Sequence, residues 1–577
     1  MSHTPKFDAK IRKILAASMA GERTCMLTGE RWNMTVEDLD WHKKFLVPPS
    51  FYAPLTWMRI LTAFFVGYQW WNNKSTSDGK PLITTTHPGS GVKVLPDEAW
   101  MAADFSSIHL PDDPATSVVG KVGFLRERIP FMAFRNAVPP IHSISTISMG
   151  DENSYFMNAC RSKDSFFGMN ALDTERSAEV YQSGHISDSY NVVHSERIHG
   201  SWFVQESRDC LNSKFLFDCR DCEDCFLATN KRRARFVFEN RQLSEGEYRA
   251  KVAAIHLTKR SVLEEYERRF REMIVREAVW PENFNDRAEA SSGEYLLETT
   301  RCLSCYNNNY GCHDQRNCAY MFHETSENMF AVGLFYGSNH CYGCTTGAKT
   351  SQAKFCYLVV GCQNMEYSMH CYNCEDCFGC VGLNRKRFCI FNRQYTEEEY
   401  YRQVDDIKCR MLEAGEYGKF FPVSFSPTRF LDSGAALFFL SGEKEARELG
   451  ALSYAPESFG ASGEVSESAL RSCEDIPSDL ADLAETWAGV PIYDEGVARR
   501  FTFLKPEIAF YHRLLIAPPG RHFIARVRDM AFRANSGVFE KNACAKCQKE
   551  ILVAKNAAFP SRRIFCRPCY DTFMSSA

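Results

Sequence analysis

Two segments of this chain read almost alike without a gap: Cys219 to Tyr248, CRDCEDCFLATNKRRARFVFENRQLSEGEY, and Cys371 to Tyr400, CYNCEDCFGCVGLNRKRFCIFNRQYTEEEY. Cys210 and Cys362 fall in the same register, so Cys210, Cys219, Cys222 and Cys225 match Cys362, Cys371, Cys374 and Cys377. A duplicated unit of about 150 residues constrains the fold before any propensity does, because both copies have to fold the same way. Within each unit a small or thiol residue followed by an aromatic recurs, as in Ser189-Tyr190, Ser201-Trp202, Cys341-Tyr342 and Cys356-Tyr357. Most steps are near 9 to 15 residues, which predicts a β-solenoid whose coils take about two such steps. Each block ends in Asn-Arg-Gln and then a capping box, Ser244 to Glu247 and Thr396 to Glu399. Helices are expected to start there, one running to about Glu277 and the other to about Leu412, capping the block edges.

A second duplication joins the ends of the chain. WHKKFLVPP around Trp41 matches YHRLLIAPP around Tyr511. At nearly the same offset, Ser75-x-x-Asp78 and Pro96-x-x-Ala99 stand where the later copy has Cys544-x-x-Cys547 and Cys566-x-x-Cys569. Two C-x2-C pairs separated by 18 residues let each pair sit on its own tight turn, with four thiolates converging on Zn(II). Four protein ligands leave no position for water, so this zinc is expected to hold a fold rather than to catalyse. Lys546, Lys549, Arg562, Arg563 and Arg567 surround it, and such cations suit an anionic thiolate cluster or a macromolecular partner, RNA or protein.

The remaining cysteines divide differently. Cys302, Cys305, Cys341 and Cys344 form another double C-x2-C and are a candidate second metal site. The run Cys371, Cys374, Cys377, Cys380 suggests a cluster, but the first copy has Ala228 where Cys380 stands, and interchange of Ser, Cys and Ala suits packing better than ligation. Glu223-Asp224 and Glu375-Asp376 read as solvated turn acids, and His42 and His512 as half-buried helix-face residues without chemistry.

Composition closes off other classes. Sixty-eight Lys and Arg against 72 Asp and Glu give a net charge of −4, so any nucleic-acid binding has to be local. The apolar stretch Phe51 to Trp71 is broken by Pro54, Arg59 and Gln69, which argues against a membrane span. Without a secretory signal, the 25 Cys are expected in a reducing cytoplasm.

CFGCVGLNRKRFCIFNRQYTEEEY at Cys377 to Tyr400, GEYGKFFPVSFSP at Gly415 to Pro427, and the closing CAKC and CRPC pairs resemble a group of uncharacterised zinc-ribbon proteins of candidate phyla radiation bacteria. The resemblance runs from about Cys25 to Tyr570 and implies paired ribbons at both ends of a cysteine- and aromatic-rich repeat. It brings no established activity. Where further N-terminal ligands would stand, this chain keeps Cys25 but has Thr28, Ala53 and Thr56.

The expectation is therefore a mostly β fold with helical caps, a two-block β-solenoid-like core flanked by zinc-ribbon-like domains. Its parts are an extension at 1–24, a degenerate ribbon domain at 25–145, blocks at 146–280 and 281–430, a connector at 431–488 and a ribbon domain at 489–577. The expected role is a non-catalytic zinc-binding scaffold or adaptor for a macromolecular partner, such as one in a nucleic-acid-containing assembly. A solenoid enzyme acting on a polysaccharide and a purely structural, self-assembling protein are the alternatives.

Overall fold

In the computed structural model, which describes residues 3–456 and 470–575, the repeat blocks are built on a three-residue rule. Asn191, His194, Arg197, Gly200, Phe203, Glu206, Asp209 and Asn212 all have φ between 44 and 57°. A left-handed residue at every third position turns the chain through a corner and costs on the order of 1 kcal/mol each time. Parallel ladders offset the cost. On one face Ala178, Tyr190, Trp202, Lys214 and Phe226 pair in succession, and on another Gly184, Glu196, Arg208 and Arg220 do so, each partner 12 residues on.

The strands of this block are β1 (Ala178–Ser187), β2 (Tyr190–Val193), β3 (Glu196–His199), β4 (Trp202–Gln205), β5 (Arg208–Leu211), β6 (Lys214–Phe217) and β7 (Arg220–Thr229). β1 pairs with both β2 and β3, and β7 with both β5 and β6, while β2–β4–β6 and β3–β5 run between them. The seven parallel strands form a closed circuit, a barrel rather than the open solenoid expected. The physical reason is that β1 and β7 each continue for 10 residues through a corner and so belong to two faces at once. A full turn also takes one step of the small-aromatic rhythm, not two. In the second block the offset is 13 residues from Thr300 to Tyr342 and 12 from Tyr357 to Ile390.

The residue after each left-handed corner points inward. Val180, Ile186, Val192, Ile198 and Val204 fill the first interior, alternating with buried Ser183, Ser189, Ser195, Ser201 and Ser207. Each serine satisfies two backbone groups: Ser189 Oγ donates to the Ser187 carbonyl (2.7 Å) and accepts the Ser201 N–H (3.2 Å). Cysteines repeat this geometry in the second block, where Cys362 Sγ donates to the Val360 carbonyl (3.4 Å) and accepts the Cys374 N–H (3.4 Å). Thiols there stand in for serine as small buried groups.

Helices close each block as the capping boxes imply. Ser244 caps Glu245–Ala253 and Thr396 caps Glu397–Glu413, but the first helix breaks before a second, Arg260–Arg276. The blocks lie side by side and antiparallel, since contacts descend one as they ascend the other: Glu206 with Tyr295, Gln182 with Asn307, Met149 with Tyr336.

The terminal duplication appears element by element. The N-terminal half runs hairpin (Gly21–Thr24, Arg31–Met34), helices Val36–Phe45 and Pro54–Ala63, hairpin (Trp71–Lys74, Pro81–Thr84), strand Val94–Leu95 and helix Asp97–Ala102. The C-terminal half repeats this with Ile492–Asp494 and Arg499–Phe501, Lys505–Leu514, Phe523–Arg533, Asn535–Ala543 and Glu550–Asn556, Arg563–Phe565 and Arg567–Ser575. Much of the apolar stretch from Phe51 is thus a 10-residue helix packed on the second block, with Trp57 stacked on Phe330 at 5.3 Å. Among the described residues no helix is long and apolar enough to cross a membrane. The stretch 431–488 holds more than a connector: all six residues of Gly434–Phe439 are buried, wedged between helix Pro54–Ala63 and strand Asn535–Ala543. Residues 457–469 lie outside the described ones.

Candidate metal centre

Cys544 and Cys547 occupy the turn of the last hairpin, and Cys566 and Cys569 the turn into the final helix. Their four Sγ atoms lie within 4.8 Å of one another, an arrangement able to hold one metal ion. The knuckle is pre-shaped by backbone: the Cys544 N–H donates to the Lys549 carbonyl (2.9 Å), Gln548 N–H to Cys544 carbonyl (2.9 Å), and Ala545 N–H to Ile564 carbonyl (2.8 Å). The Cys566 N–H donates to Cys544 Sγ at 3.3 Å. Partial burial opposes ionisation of Cys544, but the backbone N–H groups of Cys547, Cys566 and Lys546 outweigh it and bring the thiol down to about 6. Thiolate character before metal arrives is what a metal ligand needs.

The same three hydrogen bonds recur in the N-terminal half. Cys25 N–H to Glu30, Gly29 N–H to Cys25 and Met26 N–H to Phe51 measure 2.8, 3.0 and 2.9 Å; Ser75 to Lys80, Gly79 to Ser75 and Thr76 to Val94 measure 2.9 Å each. The knuckle shape therefore persists on backbone alone. Around Cys25 the ligand positions are filled by Thr28, Ala53 and Thr56, whose groups hydrogen-bond its thiol, and one thiol with two hydroxyls is a poor set for a thiophilic ion.

The second candidate set is not brought together. Cys305 leads rung by rung through Cys318 and Ala331 to Cys344, and Cys302 through Gln315 and Asn328 to Cys341. Three rungs at about 4.8 Å put the pairs roughly 14 Å apart, so Cys302, Cys305, Cys341 and Cys344 cannot share an ion. Among the described residues the C-terminal four are the sole such group.

Of the five cations around that group, three are engaged within the chain, one buried, one half-buried and one exposed. Arg562 is buried beneath the Trp280 ring (5.1 Å) and donates to the Ala554 and Phe559 carbonyls. Arg563 donates to the Glu277 carbonyl at 2.9 Å, and Arg567 to the carbonyls of Asn283 and Asn285, both at 3.1 Å. With Arg563–Phe565 paired to Val279–Pro281, these arginines clamp the ribbon onto the segment joining the two blocks. Tyr570, next to Cys569, completes the dock by donating to Asp218, which Arg232 also holds at 2.9 Å. Lys546 and Lys549 remain exposed. Sequence spacing located the four clustered thiols but not these receptors, since Glu277, Asn283 and Asp218 carry no motif.

Glu294 ties the hairpin's first residue to the second block. Its Oε1 accepts from Asn535 Nδ2 (3.1 Å) and the Phe284 N–H (3.1 Å), while the buried Oε2 has no partner. Burial pushes this carboxyl up to about 7. An unfolded Glu ionises near 4.3, so Glu294 favours the native state fully below that pH and loses its contribution, up to about 4 kcal/mol, as pH rises through 7. Glu294→Gln is expected to flatten the decline in stability between pH 5 and pH 8, read as denaturant midpoints. An unchanged decline would rule Glu294 out as its source.

No protein-family model matches the chain, and no curated protein matches it. One solved structure, described as "putative acetyltransferase from Desulfovibrio desulfuricans G20", aligns at 10% identity over 37% of this chain and 54% of that chain with a TM-score of 0.09, and carries no argument.

Proposed function

We propose that the protein is a non-catalytic scaffold or adaptor, stabilised by one zinc ion, that binds a macromolecular partner in the cytoplasm. The observation that carries this is the closed set of four protein thiols at Cys544, Cys547, Cys566 and Cys569. All-thiolate sites favour zinc among available divalent ions, and a filled tetrahedron activates no water. The metal-bearing ribbon is clamped between two repeat blocks, so its work is to fix their mutual placement. Long laddered blocks present repeated side chains at fixed spacing, a surface suited to a partner rather than to a small substrate.

Protein is favoured over RNA as that partner. Phosphate recognition needs free cations, and Arg562, Arg563 and Arg567 are already used within the chain. The test is recovery of the native, zinc-loaded protein with what copurifies. A protein partner is expected to survive nuclease treatment and the double reversal Lys546→Glu, Lys549→Glu. Zinc-loaded protein recovered alone would sink the reading; loss of the partner on nuclease treatment or on the reversal would transfer it to RNA.

A further inference from the structure

Along the seam between the antiparallel blocks runs a strip of side chains that the metal centre and the clamp do not use. From the second block, Tyr310, His323 and Tyr336 stack in a row, centroids 5.5 and 5.0 Å apart and planes within 13°. Tyr310 and Tyr336 are 37% and 46% exposed. Tyr310 ends the row: among the described residues its one stacked ring is His323, and Glu298 stands on the rung before it. From the first block, the His185 ring lies between Asp173 Oδ2 and Glu196 Oε1, 3.7 Å from each. Across the seam Tyr310 lies within electrostatic reach of Glu196, Asp173 and Arg208 of the first block, and within its own block of Glu298.

The charges here are unevenly matched. Asp173 is held by both nitrogens of Arg161 (2.6 and 2.7 Å), Glu298 by Arg287 (2.6 Å), Arg197 by Asp209 and Arg208 by Asp286 (2.6 Å). Among the described residues the Glu196 carboxylate has no donor at hydrogen-bond distance: Arg197, already committed to Asp209, stands 3.9 Å away and His185 3.7 Å. Its side chain is 26% exposed, lying over Gly184, where any Cβ would come within 2.8 Å of the carboxylate. Glycine at that position leaves the space the carboxylate occupies. A part-exposed carboxylate without a donor at hydrogen-bond distance, together with a part-exposed phenol ring across the seam, is the chemistry that receives a cation: one contact charge-assisted, the other through the ring. Polyanions are disfavoured, because Arg161, Arg197, Arg208 and Arg287 are each paired with a carboxylate.

We propose that the Glu196–Tyr310 seam is the docking site for a lysine or arginine side chain of the partner protein. This rests on the scaffold reading and names the chemistry by which it engages its partner. The partner's ammonium or guanidinium donates to Glu196 while its alkyl stem lies along the Tyr310 ring, and the tyrosine row extends the contact over two further rungs.

The test uses the zinc-loaded chain and a dye-labelled hexalysine peptide, followed by fluorescence anisotropy, with hexaglutamate as the opposite-charge control. Hexalysine is expected to bind and hexaglutamate not to. Glu196→Gln and Tyr310→Leu should each weaken hexalysine binding, Glu196→Gln by about tenfold, with circular dichroism unchanged, while Glu474→Gln at an exposed acid elsewhere changes nothing. Equal losses in Glu196→Gln and Glu474→Gln would reduce the effect to diffuse attraction and overturn the site, as would absence of hexalysine binding. The scaffold reading fails separately. If the native chain recovers no partner, that reading falls; if a partner is recovered equally by wild type and Glu196→Gln, the scaffold stands and the seam does not.

Discussion

Cys566→Ser is expected to release the metal, to leave none bound per chain where the wild type holds one, and to cost the C-terminal hairpin domain on the order of 10 kcal/mol. The size follows from how little else joins the two knuckles. Cys544 and Cys566 are linked directly by one N–H to sulfur bond of 3.3 Å, and Cys547 is exposed. Four thiols in this space without a metal also resist ionising together; Cys569 is pushed up to about 12, chiefly by its hydrogen bond to Cys566 and then by burial. Loss should not stop at the ribbon, because Arg563–Phe565 pairs with Val279–Pro281 and Tyr570 holds Asp218. Amide hydrogen exchange is expected to rise over both 535–575 and 277–285, while the ladders from Ala178 to Thr229 stay protected. Two or more zinc ions per wild-type chain, or exchange confined to 535–575, would contradict this account.

How much of this was legible in the sequence differs by element. The two C-x2-C pairs located the four thiols that converge, because a tetrahedral thiolate site needs that spacing. Matching WHKKFLVPP to YHRLLIAPP correctly paired the terminal halves, although hairpin 492–501 lay beyond the recognisable match. Block geometry was harder. Val180, Ile186, Val192, Ile198 and Val204, with Ser183, Ser189, Ser195, Ser201 and Ser207 between them, spell a strict six-residue alternation. Following the aromatic after each small residue hid it, because many of those rings answer to the elements that cover a face, as Phe226 does to Tyr266. Left-handed corners at every third residue were not legible at all: Phe203, Phe215 and Leu227 occupy them, against the usual preference for Gly, Asn or Asp. Ladder pairing overrides that preference. The basic cluster around the ribbon was visible, but only the fold reveals that Arg562, Arg563 and Arg567 face carbonyl groups of the same chain.

Asp432→Ala is expected to cost about 3–5 kcal/mol and to loosen the two terminal halves from each other. The carboxylate is fully buried and accepts from Arg429 (2.8 Å), Arg499 (3.0 Å) and Arg528. Arg499 belongs to the first C-terminal hairpin and Arg528 to helix Phe523–Arg533. On the opposite side, Tyr68 of the N-terminal half donates its N–H to the Asp432 carbonyl at 3.3 Å, and Gly67 packs so closely that a Cβ there would lie within 3 Å of the same oxygen. Burial works against the charge of Asp432, but the three guanidinium groups outweigh it and hold its carboxyl below the usual range, so its contribution persists at neutral pH and fades only as pH falls through that depressed value. Removing the carboxylate takes a buried acceptor from three guanidinium groups at once, which is why the loss should exceed that of an exposed pair, about 1 kcal/mol or less. Denaturant unfolding of Asp432→Ala and of Arg499→Met, alone and combined, gives the coupling directly. A double variant no less stable than the worse single one would show that the two side chains act as one unit. Additive losses, or a loss below about 1 kcal/mol for Asp432→Ala, would mean that the terminal halves are held by their apolar contacts alone.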